Sequence, residues 1–127
     1  MSDSFDPSRG LIIVSAHVWG PSGFLALSFA LDTGALSSVV KWESLADLGY
    51  DPSACPEQAK ITSASGTLLV PRVIVDRVDA LGASRTAFPV LAHTLPESIR
   101  VDGLLGLDFF RGQRLTVDFR QGLVTLD

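Results

Sequence analysis

Apolar residues in this chain gather in short blocks of strand length, separated by glycine, proline and small polar residues. "LIIVSAHV" (11–18) is rich in β-branched residues, and "FLALSFAL" (24–31) follows it after the turn signature "WGPSG" (19–23). The two predict a hairpin. Its second arm is almost continuously apolar, which predicts cover on both faces. "ALSSVV" (35–40) predicts a short strand. "KWESLADLG" (41–49) predicts a helix, because Leu45 and Leu48 lie three apart and Gly49 is placed to end it. "YDPSACPEQ" (50–58) reads as loop.

"AKITSASGTLLVPRVIVDRV" (59–78) predicts a long hairpin with Ser65-Gly66 at its tip. "DALGAS" (79–84) turns the chain, "RTAFPVLAHTL" (85–95) predicts another strand, and "PESIRVDG" (96–103) a loop. "LLGLDFFRG" (104–112) predicts a buried turn passing into a short helix. In "RLTVDF", Leu115, Val117 and Phe119 alternate with Thr116 and Asp118, "RQG" turns, and "LVTL" returns. The sum is a small, mostly antiparallel β domain with one or two short helices and no internal repeat.

Composition narrows the function. A length of 127 residues predicts one domain, and 46% apolar against 19% charged residues predicts a real core. A net charge of −4, with no basic run, argues against nucleic acid or an anionic membrane as partner. The apolar runs are too short to cross a bilayer. The polar start "MSDSFDPSRG" lacks the features of a signal peptide, so a soluble, cytoplasmic protein is expected. Residues 1–9 are expected to be a flexible segment and 10–127 the domain. Cys55 is alone and cannot form an intrachain disulfide. A catalytic thiol would need His17 or His93. Both lie in strand-like runs, so a loop cysteine and two strand histidines are the plainer reading. With no phosphate loop, nucleophile elbow or metal-ligand spacing, no cofactor or metal is expected.

The chemistry concentrates in "FALDTGALSSVV" (29–40). An isolated Asp-Thr-Gly is often only a capped turn. Here apolar stretches on both sides point to an interior location, where an unpaired carboxylate is costly. It must be protonated, be hydrogen-bonded, or share a proton with a similar group. The last is the economical answer where no metal-ligand cluster is near.

Three motifs in order, "FALDTGA", "TSASGT" and "DGLLGLDFF", with the closing "LTVDFRQGLVTL", resemble the retropepsin-like aspartic peptidases, the single-domain kind of retroviruses and many bacterial proteins. The resemblance covers roughly residues 10 to 127. It implies a small closed β-barrel-like acid-protease fold with one lobe per chain. It also implies a homodimer, since the chain holds one Asp-Thr-Gly and the catalytic pair needs two carboxylates. Asp32 of each subunit would activate a water, Thr33 would hydrogen-bond across the axis, and Gly34 would let backbone approach. Ala35 in place of Ser implies a weaker preference for acid pH. The hairpin of residues 61–70 would fold as a flap over a polypeptide substrate, with Ser65, Gly66 and Thr67 pairing to its backbone. Leu95 and Ile99 would line a side-chain pocket, and Leu104, Leu105 and Gly106 would support the catalytic loop. A catalytically silent peptide-binding or dimerisation module of the same fold is the alternative.

Overall fold

The computed structural model describes residues 2–127, with Ser63 described by its backbone alone. The described residues form ten strands: β1 (Ser2–Ser4), β2 (Ile13–Gly20), β3 (Gly23–Leu31), β4 (Val39–Val40), β5 (Gln58–Ser63), β6 (Gly66–Ala80), β7 (Ala83–Ala92), β8 (Gly103–Leu105), β9 (Leu115–Asp118) and β10 (Leu123–Leu126). Two short helices, α1 (Trp42–Asp47) and α2 (Leu107–Phe110), follow β4 and β8. Strands run in the order β2-β3-β8-β4-β7-β6, and β6 pairs back to β2, which closes a six-stranded barrel. β5 lies outside this ring and, among the described residues, pairs only with β6.

Alternation builds the core. Val14, Ala16 and Val18 of β2 point inward while Ser15 and His17 face out, as period-two side chains must. Leu27 and Phe29 of β3, Val73, Val75 and Val78 of β6, and Phe88 and Val90 of β7 meet them. Leu45 of α1, Leu48 just after it and Phe109 of α2 join this core, with Phe109 edge-on to Phe88 and Phe110. Between β2 and β6 the Tyr50 hydroxyl donates to the Trp19 carbonyl at 3.0 Å and accepts from the Asp76 amide at 2.8 Å. Burial pushes the Tyr50 hydroxyl above its ordinary pKa.

Several local expectations shift. β3 is covered on both faces only near its end, at Phe29 and Ala30. Phe24 is 58% exposed and stacks on Trp19 and beside His17 on the outer face. Two pairings, β3 with β8 and β4 with β7, are parallel. Both join strands distant in sequence, where no tight hairpin dictates direction. "LLG", expected as a turn, contributes strand β8. At the other end of the molecule β1 pairs with β10, which pairs with β9, and the Phe5 amide donates to the Gly122 carbonyl at 2.8 Å. Ser2–Ser4, set apart from the domain in the sequence reading, are thus placed on its second sheet. Among the described residues no helix is long and apolar enough to cross a membrane.

Candidate active site

Asp32 stands where β3 leaves the barrel. Leu31 pairs with Leu105 of β8, and the Asp32 amide then donates to the Leu105 carbonyl at 2.9 Å. The chain turns at once. The Gly34 amide donates to Asp32 Oδ1 at 2.9 Å, and the Ala35 amide to the Asp32 carbonyl at 3.2 Å. An Asp that accepts from the amide two residues on fixes its own side chain as well as the turn. Asp32 is half-buried in the single chain, and Thr33 and Gly34 are exposed. The interior position expected from the apolar flanks is therefore the edge of the barrel. Among the described residues the Thr33 hydroxyl has no hydrogen-bond partner within the chain.

The turn is braced from below by "GLD" (106–108). The Leu107 amide donates to the Ala35 carbonyl at 2.8 Å. Ser38, fully buried, donates its amide to both oxygens of Asp108 at 3.0 Å and its hydroxyl to Asp108 Oδ1 at 2.7 Å. The same hydroxyl accepts from the Gly106 amide at 3.0 Å. A Cβ on Gly106 would lie 2.8 Å from the Ala35 carbonyl oxygen, so only glycine lets the two backbone segments meet. Leu104, Leu105 and Gly106 accordingly sit beneath the Asp32 loop. Neither Ser38 nor Asp108 stands out in the sequence as part of this brace. The available signal was Ser38 itself, a hydroxyl inside an apolar run that burial obliges to find a partner.

A cleft of about 740 Å³ opens beside this loop. Gly34, Ala35, Leu36 and Ser37 form one wall. Gln58 to Thr62 of β5 form the other, and Val39, Leu91 and Leu104 lie between them. The β5–β6 hairpin closes with Ser63 opposite Gly66, so its two-residue tip is Ala64–Ser65, one position earlier than expected. Gly66 takes φ of +129° there, a conformation that a side chain would resist. Ser65, Gly66 and Thr67 lie at or beside the tip, past the residues that line the cleft. Leu95 packs instead against Val39, Val70 and Leu91, and Ile99 ends a 3-10 turn at Glu97–Ile99. Neither lines the cleft. His93 does line it, whereas His17 sits in the aromatic cluster on the outer face and Cys55 packs half-buried against the core. Among the described residues no three His, Cys, Asp or Glu side chains converge as a metal ion would require.

Below β3, Asp102 accepts from Lys41 Nζ at 2.7 Å and from the Ser28 amide at 2.8 Å. Burial opposes ionisation of Asp102, but the bonds from Lys41 and Ser28 outweigh it and hold the carboxyl below its usual range. Lys41 is correspondingly raised, chiefly by its bond to Asp102.

An Asp-Thr-Gly turn at the mouth of a β-barrel, braced by a glycine segment and opening on a cleft, is the framework of an aspartyl protease. Residues 16–109 match the family model described as aspartyl protease, and the chain belongs to that family. Among solved structures it is similar to a retropepsin-like aspartic protease from Rickettsia conorii, with 17% identity and a TM-score of 0.74 over 99% of this chain and 88% of that one. The barrel is thus retropepsin-like, as the motif order implied. No curated protein matches the chain.

Proposed function

We propose that two copies of this chain form an aspartic endopeptidase that cuts extended polypeptide segments, with one Asp32 from each subunit. The observation that carries this reading is the half-built state of the Asp32 loop. Its lower side is tied by hydrogen bonds to Leu105 and Leu107, yet Thr33 and Gly34 are uncovered and Leu36 is 73% exposed. An apolar side chain at that exposure, beside an unpaired hydroxyl, suits burial against an identical loop across a two-fold axis.

In that arrangement the two carboxylates hold one proton between them, because close like charges do not both ionise cheaply. The ionised Asp32 takes a proton from a water as the water oxygen attacks the peptide carbonyl carbon. The protonated Asp32 gives its proton to the carbonyl oxygen, forming a tetrahedral diol. The Asp32 that took the water's proton then passes it to the amide nitrogen while the other Asp32 takes one back from a diol hydroxyl, so the C–N bond breaks, an amine and a carboxylic acid are freed, and the pair again holds one proton. The β5–β6 hairpin offers main-chain groups to an extended substrate in the manner of strand addition.

The test joins sizing in solution to incubation with an unfolded protein, native against Asp32→Asn, from acid to neutral pH. A dimer whose cleavage rate falls by about 10³-fold or more in Asp32→Asn supports the reading. Equal cutting by both proteins would assign the activity to a contaminant. A dimer that cuts nothing would be a silent binding module, and a strict monomer would end the proposal.

A further inference from the structure

The cleft beside Asp32 collects positive charge. One row of residues crosses its floor: Leu104 of β8 opposite Val39 of β4, Val39 opposite Leu91 of β7, and Leu91 opposite Arg72 of β6. Neighbouring strands lie about 4.8 Å apart, so the three steps from Leu104 to Arg72 span about 14 Å at most. Lys60 of β5 stands on the same cleft, and none of the described residues lining it is Asp or Glu. The chain as a whole carries 14 acidic against 10 basic residues, so a cationic, acid-free lining runs against its average.

These two cations also lack the carboxylate partner that three of the other eight Lys and Arg residues have. Lys41, Arg77 and Arg114 each pair with a carboxylate. Arg72 is half-buried, and its amide donates to the Glu57 carbonyl at 3.0 Å. Among the described residues no ion pair reaches the side chain of Arg72 or of Lys60. An arginine on a half-buried residue without a counter-ion, at the edge of an apolar floor, can receive a carboxylate supplied from outside.

We infer that this cleft selects polypeptide segments bearing a Glu or Asp side chain near the scissile bond. The acidic group sits against Arg72 and Lys60, and an apolar side chain sits over Val39, Leu91 and Leu104. An extended chain advances about 3.4 Å per residue, which puts the acidic residue within about four positions of the cut. The inference rests on the peptidase reading and names its substrate class.

Extended peptides made in pairs, with Glu or Gln at each position around the bond, measure it through kcat/KM. At one position the native protein is expected to prefer Glu by about tenfold, and raising salt from about 0.05 to about 0.5 M shrinks that ratio. Arg72→Gln removes most of the preference, Arg72→Lys keeps part of it, and Arg72→Glu inverts it. Thermal melting confirms that each variant is folded. Cleavage with equal rates for Glu and Gln at every position overturns the charge selection and leaves the peptidase reading standing. So does a preference that survives Arg72→Gln combined with Lys60→Gln. Anisotropy of the same labelled peptides on Asp32→Asn separates the other failure. If the native protein cuts nothing but Asp32→Asn binds the Glu peptides more tightly than the Gln peptides, the charge selection stands and the peptidase reading falls.

Discussion

The Asp32 turn and the tip of the β5–β6 hairpin are both runs of small polar residues between apolar stretches, and the protein holds them in opposite ways. Beneath the Asp32 turn, Leu105, Leu107, Ser38 and Asp108 anchor the backbone from three sides. Along the hairpin no described residue from Lys60 to Leu69 is fully buried, and Leu68 and Leu69 are 51% and 57% exposed. Few buried contacts mean a low local cost of opening. The contrast fits the chemistry proposed. A carboxylate that must meet its twin has to be fixed, while a segment that admits an extended chain has to part from the body first.

The largest effect should come from removing what the turn rests on. Leu105→Ala empties a fully buried site below Asp32 and is expected to cost about 2–5 kcal/mol in denaturant unfolding. Ser38→Ala comes next. It strips Asp108 of one bond and leaves the Gly106 amide without its acceptor, for an expected loss of about 1–3 kcal/mol. If the turn is held as described, Ser38→Ala lowers kcat more than it raises KM. Loss of stability with unchanged kcat would show that the brace serves the fold alone.

The strength of that brace was the least legible part of the sequence. The β2–β3 hairpin, the Asp-Thr-Gly turn and the final hairpin announce themselves because their partners lie a few residues away. Ser38 and Asp108 are 70 residues apart, and no local spacing connects them. The row from Leu104 to Arg72 is equally silent, since it crosses four strands drawn from three parts of the chain. "LLG" looks like a turn in sequence because a three-residue strand has too few positions to show a period. "SDS" gave no strand signal, because β1 takes its place from backbone pairing to β10 and buries no side chain fully. Leu95 looked like a pocket wall by its place in the chain, yet it turns into the small cluster around Val39.

On the other side of the comparison, Leu68→Ser with Leu69→Ser should leave stability within about 0.5 kcal/mol, since exposed positions contribute little to folding. The expected change is in KM for an extended substrate. A marked fall in melting temperature would mean that the hairpin is held as firmly as the turn, and the contrast between the two would be lost.

A small effect also belongs to the Lys41–Asp102 pair, which ties α1 to the approach of β8 on the held side. Both side chains are partly exposed, at 35% and 26%, so solvent limits the pair to roughly 0.5–1 kcal/mol. Its pH dependence nonetheless has a definite sign. The folded pKa of Asp102 lies below the ordinary value of 3.8, so the folded state keeps the carboxylate where the unfolded chain would take up a proton. The contribution is fully present above that value and disappears as pH falls through the depressed folded pKa. Lys41, raised above 10.5, adds stability below that pH and loses it in stronger base. Unfolding curves of native and Asp102→Asn should therefore differ at neutral pH and converge in acid. A gap that stays constant down to the acid limit would mean that shape, and not charge, holds β8 in place under Asp32.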